Sequence, residues 1–199
     1  MKLAGDRMPP VKKCGLVWKR DGFLMRLAEK EDAEAYFQQN FCPLDQDVVR
    51  FTGCKPTFSR EEVVSFLHAC ADDPDRYDFL IFAPDGRIVG ESVLNEIDWD
   101  LKQAGFRIAL FQKEARDRGI GTWATKNARD FAFGELKMHR LELEVYSFNP
   151  RGQRVYKKAG FQVEGVLRDA IKDGGQYADV IRMAMLEEDW KTKFTTKGE

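Results

Sequence analysis

Between Gly105 and Trp123 the chain reads GFRIALFQKEARDRGIGTW: an apolar, strand-like run, then Arg116 and Arg118, then Gly119 and Gly121 at the start of a helical pattern. A strand that opens through a glycine turn into a helix leaves backbone N–H groups without acceptors, and the helix dipole adds positive potential there. Glycine permits close backbone approach, and arginine supplies charge suited to a phosphate. The joint either cradles an anion or only turns a corner. It is not a dinucleotide fingerprint, which needs three glycines in a parallel βαβ unit and an acid about 20 positions on. It is not a P-loop either, since Thr122 rather than lysine follows Gly121.

The elements that must position this joint follow from periodicity. FLMRLA, Phe23 to Ala28, is read as the first strand, and KEDAEAYFQQNF as a helix with Glu31 and Asp32 at its start. SREEVVSFLHAC forms a second helix, with Ser59 and Glu62 as a capping box and Val63, Phe66, Leu67 and Cys70 on one face. Two strands flank a Pro84-Asp85-Gly86 turn, and GFRIALF continues the antiparallel meander.

After the joint, Ala124, Ala128, Phe131, Ala132 and Leu136 make the apolar stripe of a helix packed on a sheet. In RLELEVYSF, Leu141, Leu143 and Val145 alternate with Glu142, Glu144 and Tyr146, the period of a strand. NPRGQRVYKKAGF reads as a short helix with Asn149 as N-cap, Pro150 at the first position and Gly160 at the end. FQVEGVLRDAI and YADVIRMAML, joined by KDGGQ, close the chain as a hairpin. The order is strand, two helices, three strands, helix, strand, helix, two strands, an α/β arrangement.

A length of 199 residues suits one domain; residues 21–190 are assigned to it, with a flexible lead-in over 1–20 and a tail over 191–199. With 43% hydrophobic and 33% charged residues the composition is that of a soluble globular protein. A net charge of -1, from 32 basic and 33 acidic side chains, gives no overall footprint for nucleic acid or anionic lipid. No membrane-spanning run or signal-type apolar core is present, so a cytoplasmic protein is expected, with no nucleic-acid or membrane partner. Cys14, Cys42, Cys54 and Cys70 lack metal-ligand spacing and are expected to be reduced thiols; no metal site is expected.

Arg116-Asp117-Arg118-Gly119-Ile120-Gly121 resembles the Q/R-x-x-G-x-G/A pattern of the GNAT superfamily of acyl-CoA-dependent N-acetyltransferases, placed between a strand and a long helix as in that family. NPRGQRVYKKAGFQVEGVLRD looks like the family's second cofactor block. The resemblance runs from Phe23 to about Trp190. GQYADVIRMAML, with Tyr177 and Asp179, is similar to the branch holding ribosomal-protein N-terminal and spermidine acetyltransferases.

The resemblance implies a mostly antiparallel sheet of about 6–7 strands flanked by about 4 helices, with two central strands splayed into a V. It implies acetyl-CoA as cosubstrate, held by Phe111, Arg116, Asp117, Arg118, Gly119, Ile120, Gly121, Thr122, Asn149, Arg151 and Tyr156. Tyr156 would be the general acid that protonates the departing thiolate, since a phenol of pKa about 10 stays protonated at neutral pH. Without the family context, Tyr156 reads as a packed helix residue and Asn149 as a plain N-cap.

A base is also needed to deprotonate the acceptor ammonium. Glu91, Glu96, Asp98, Glu142 and Glu144 are the candidates, with Glu96 favoured on position and Glu142 and Glu144 read as arginine partners. The implied acceptor is a small-molecule amine of polyamine type or a protein N-terminus. Acids such as Asp45, Asp47, Glu61 and Glu62 suit a cationic acceptor or form an ordinary surface. The alternative is a module that binds acyl-CoA as a sensor without turnover. A homodimer is left open, since many relatives dimerise.

Overall fold

The computed structural model describes residues 15–195, so Cys14 and the outer parts of the lead-in and tail lie outside the described residues. One sheet of eight strands runs through the molecule in the order β1-β2-β3-β4-β5-β6-β8-β7. The strands are β1 (Val17–Arg20), β2 (Phe23–Leu27), β3 (Tyr77–Phe82), β4 (Ile88–Asp98), β5 (Gln103–Leu110), β6 (Arg140–Tyr146), β7 (Gln162–Asp173) and β8 (Gln176–Leu186). The helices are α1 (Ala33–Asn40), α2 (Gln46–Thr52), α3 (Arg60–Asp72), α4 (Ile120–Gly134), α5 (Pro150–Ala159) and the short α6 (Glu187–Trp190). This is the α/β arrangement the resemblance implies, a mostly antiparallel sheet flanked by helices, with more strands and helices than expected.

The additional strand is β1, which begins inside the stretch read as a lead-in. It pairs antiparallel with β2 across Asp21 and Gly22, both at positive φ (49° and 80°). Two consecutive positive φ values define the hairpin turn that matches strand twist, and Asp-Gly is suited to it. The additional early helix is α2, capped by Asp45, whose side chain accepts from the N–H groups of Asp47 and Val48 at 3.0 and 3.2 Å. Gly53, at φ 69°, ends it.

The expected capping box of α3 is present: Glu62 N donates to Ser59 Oγ at 3.2 Å and Ser59 N to Glu62 Oε2 at 2.7 Å. Val63, Leu67 and Cys70 are buried, but Phe66 is 45% exposed. Phe66 stands on the flank of the stripe, where the Arg76 guanidinium lies 5.2 Å from its ring centroid.

Strand alternation sends neighbours to opposite faces and builds two cores. Phe79 and Ile81 of β3 join Leu94, Ala124, Ala128, Phe131 and Tyr156 on one face. Leu80 between them joins Tyr36, Val63, Leu67 and Phe111 under α1–α3 on the other. The stripe read on α4, from Ala124 to Leu136, is buried throughout.

The pairing of β5 with β6 positions the site. These two strands are parallel and pair only through Gln103↔Arg140, Ala104↔Leu141 and Gly105↔Glu142. β5 then continues to Leu110 along β4, and β6 to Tyr146 along β8. Past Gly105 the two backbones have no ladder between them, so the sheet is open at its centre, next to the start of α4.

Candidate active site

A cleft of about 310 Å³ occupies that opening. Ile108, Ala109 and Leu110 of β5 form one wall, and Glu144 and Val145 of β6 the other. Its far end is closed by Arg116, Asp117, Gly119, Gly121 and Thr122, and its side by α5 with Asn149, Arg151, Arg154, Tyr156 and Lys158. Two motifs separated by more than 20 residues of sequence thus face one space.

The turn has the properties an anion needs. Gly119 caps α4 in the left-handed region at φ 78°, and the first intrahelical bond is Trp123 N to Gly119 O at 3.0 Å. The N–H groups of Ile120, Gly121 and Thr122 precede that bond and have no carbonyl one turn back. A Cβ at Gly121 would meet only Leu110 Cδ1 at 3.7 Å and Val155 Cγ2 at 3.9 Å, which is ordinary contact. Packing does not demand glycine there. The missing side chain instead leaves the helix N-terminus bare on the cleft side, with Arg151, Arg154 and Lys158 opposite.

Not every motif residue offers the cleft a free group. Arg116, only 8% exposed in its side chain, is committed to protein: Nη2 meets Asp45 Oδ1 at 2.7 Å, Nη1 meets Asp47 Oδ2 at 3.0 Å, and the carbonyls of Leu110 and Phe111 take further bonds. Its charge is therefore balanced by two carboxylates, and it fastens the turn to the start of α2. Phe111 packs its ring against Tyr36 and Phe41, Ile120 is core, and Arg118 lies over the Phe23 ring at 5.1 Å. These three side chains do not line the cleft: two are held in the cores and Arg118 lies against Phe23.

Asn149 caps α5 as read, its Oδ1 accepting from Gly152 N at 2.9 Å. A Cβ at Gly152 would come within 2.8 Å of Asn149 Nδ2, so a side chain there would push against the capping amide itself. Tyr156 follows on α5, its ring edge-on to Phe106 and Phe161 with centroids 6.2 Å from each. Among the described residues its hydroxyl has no hydrogen-bond partner. Burial pushes its pKa up to about 12, because the phenolate cannot be solvated there.

Tyr156 also borders a second, wider cleft on the other side of the opening, of about 850 Å³, with Glu91, Asn95, Glu96, Glu142 and Glu144 among its walls. Glu96 is exposed in this cleft and sits at φ 52° in a bulge where the β4–β5 register shifts between Asn95 and Asp98. Asp98 accepts from the N–H groups of Asp100 and Leu101 and holds the following turn. Glu142 and Glu144 pair with Arg140 and Arg182, each at 2.9 Å. Glu91 is buried: Tyr36 Oη donates to its Oε2 at 2.5 Å, and Arg107 lies 3.2 Å from its Oε1.

Residues 23–162 match the acetyltransferase (GNAT) domain family. The chain belongs to the GNAT acetyltransferase family. A Bacillus subtilis (strain 168) protein named "Probable N-acetyltransferase YjcK" is 37% identical over 131 residues, 65% of this chain and 72% of that one. The spermidine N(1)-acetyltransferase of Escherichia coli (strain K12) is 33% identical over 115 residues, 58% of this chain and 61% of its own length. The solved spermidine N-acetyltransferase of Vibrio cholerae, in complex with CoA and spermine, superposes with a TM-score of 0.76 at 23% identity, covering 86% of this chain and 99% of that one.

GNAT chemistry is acetyl transfer from acetyl-CoA to an amine nitrogen, and the cleft suits that cosubstrate: its walls combine a bare helix N-terminus, three cations and Tyr156 of α5, and the apolar residues of β5. Of the residues expected to hold it, Arg116, Asp117, Gly119, Gly121, Thr122, Asn149, Arg151 and Tyr156 line the cleft. Missing from the expectation were Asp47, Phe51 and Thr52 of α2, an element not read from sequence, and Lys158 of α5. Arg151, Arg154 and Lys158 are spaced three and four apart on a helix, which marks one basic face. No helix among the described residues is long and apolar enough to cross a membrane.

Proposed function

We propose that this protein acetylates, in the cytoplasm, a primary amine that is cationic at neutral pH, either a small polyamine-like molecule or a protein N-terminus. The observation that carries the proposal is the position of Tyr156 on the border of both clefts. One has the cations and bare amides for a pyrophosphate, and the other has the carboxylates for an ammonium. The relatives named as spermidine acetyltransferases support an amine of that kind.

In this reading the backbone amides of Ile120, Gly121 and Thr122 bind phosphate oxygens, assisted by Arg151, Arg154 and Lys158. Arg116 and Asp45 position the turn. Asn149 fixes the start of α5 and so the height of Tyr156. The cosubstrate supplies an acetyl group already activated as a thioester. A carboxylate of the wide cleft takes a proton from the acceptor ammonium, freeing the lone pair that forms the C–N bond as the C–S bond breaks. Glu96 is solvent-facing and suited to that task directly or through water. Tyr156, protonated at neutral pH, donates to the departing sulfur, and the second proton, shed by the acylated nitrogen, passes to solvent, which reprotonates the phenol.

Thiol release from acetyl-CoA by the purified protein, against polyamines, peptides, free amino acids and aminoglycosides, tests the reading. Release with one acceptor class is expected. Saturable acetyl-CoA binding with silence across all amines would overturn it in favour of a sensor.

A further inference from the structure

Beside the opening, beneath α1–α3, lies a separate chamber of about 350 Å³. Its walls are Phe41, Leu44, Phe58, Val63, Phe66 and Phe111. The rings brace one another rather than fill it: Phe41 packs edge-on to Phe58 at 5.4 Å between centroids and tilted to Phe111 at 5.8 Å. The space is partly open to solvent, with Phe66 and Glu62 exposed at its rim, and its volume exceeds the about 150 Å³ that already accommodates benzene. A chamber of this size has the dimensions of a ligand pocket.

The chamber communicates with the reaction space. Val48, Thr52 and Ala109 line both it and the phosphate-side cleft, while Thr52, Glu91, Arg107 and Ala109 line both it and the wide cleft. Its polar doorway is Glu91. Arg107 engages one oxygen of that carboxylate and Tyr36 the other, which leaves further lone pairs to accept from an ammonium. A linear polyamine fits this room badly: the carboxylate lining it besides Glu91 is Glu62, already engaged by Lys55 and by Ser59 N, so charged nitrogens recurring every few carbons would be desolvated without free partners.

We infer that the chamber takes an apolar group borne by the acceptor, so that the preferred acceptor is a primary amine with a compact branched or aromatic substituent and its nitrogen at the Glu91 doorway. This inference rests on the acetyltransferase reading and narrows its acceptor. The substituent belongs either to a free arylalkyl or branched alkyl amine or to the side chain of an N-terminal residue; the chemistry recognised is the same.

The test measures kcat/KM for 2-phenylethylamine, isopentylamine, Phe- and Leu-initiated tetrapeptides, a Gly-initiated tetrapeptide and spermidine. It uses the full chain and a Cys54→Trp variant that fills the chamber from a lining position outside the catalytic cleft. The apolar amines, free or peptidyl, are expected to exceed spermidine and the Gly peptide by about tenfold or more, the scale of a filled apolar pocket. Cys54→Trp should remove that advantage while leaving spermidine turnover and the KM for acetyl-CoA unchanged. Phe58→Ala, which enlarges the chamber, should shift preference toward a naphthyl amine and guards against a misfolded filler variant. Which of the two sets is turned over separates the free amine from the protein N-terminus. Preference for spermidine, or Cys54→Trp lowering every acceptor equally, overturns the inference and leaves the acetyltransferase reading intact. Absence of turnover with every amine overturns both.

Discussion

Arg116 and Asp45 meet at 2.7 Å, and through this pair the turn that opens α4 is fastened to the N-terminus of α2. Asp45 Oδ1 accepts at once from Arg116 and from the two N–H groups it caps. Removing the guanidinium leaves a partly buried carboxylate and two carbonyls without their donor. Breaking a buried pair costs about 3–5 kcal/mol, and a chain of this size loses about 2–4 °C of Tm per kcal/mol. Arg116→Ala should therefore melt at least about 6 °C lower and bind acetyl-CoA more weakly. Arg116→Lys should recover little, because an ammonium cannot serve two carboxylates and two carbonyls from one plane. Differential scanning calorimetry with an acetyl-CoA titration checks both.

The same pair carries an acid signature. Burial raises the Asp45 carboxyl, but hydrogen bonding and charge from Arg116 outweigh it and hold the group below the ordinary range. A folded-state pKa lowered in this way contributes stability that is present above the unfolded value of about 3.9 and is lost as pH falls through the folded value. The Tm difference between the native chain and Asp45→Asn should be constant above about pH 5 and shrink below about pH 4. A difference independent of pH would mean that the carboxylate charge adds nothing to the cap.

Tyr156 should separate chemistry from binding. Loss of a positioned acid typically costs about 10²- to 10⁴-fold, so Tyr156→Phe should lower kcat on that scale with little change in KM for acetyl-CoA. Its ring packing against Phe106 and Phe161 survives the substitution, and stability should too. Because burial lifts the phenol to about 12, the native enzyme should show no alkaline fall in kcat from this group up to about pH 10. A pH-rate profile that falls there would remove Tyr156 from the acid role.

Much of this was legible because local chemistry and tertiary role agree. The caps at Ser59 and Asn149, the stripe of α4 and the alternation of β6 are set by neighbours in sequence, and each is found as read. β1 was missed although Asp21-Gly22 is a hairpin signal, because of its four residues Trp18 alone turns to the core, against Phe79 and Phe131, too short a run to show alternation. α2 was missed although Asp45 and Gly53 bracket it, because seven residues present too short a stripe. Missing α2 had a consequence at the site. Without it, nothing in sequence places Asp45 and Asp47 beside Arg116, and an arginine in a phosphate motif reads as free. The doorway at Glu91 was hidden likewise, since its partners Tyr36 and Arg107 lie 55 and 16 positions away.

The two glycines of the turn should fail differently. Gly119 needs its left-handed φ of 78°, so Gly119→Ala should cost about 1 kcal/mol and misplace the amides that follow. Gly121 is helical, and its missing Cβ would find only ordinary contacts at 3.7 and 3.9 Å. Gly121→Ala should accordingly leave stability equal or higher by up to about 1 kcal/mol, since alanine is the better helix former. Gly121→Leu should fold as well yet weaken acetyl-CoA at least about tenfold, because the side chain grows from the helix N-terminus into the space a phosphate would occupy. Isothermal titration beside thermal melts distinguishes the cases. Full affinity in a folded Gly121→Leu protein would place the phosphates elsewhere, and would return this joint to the role of a corner.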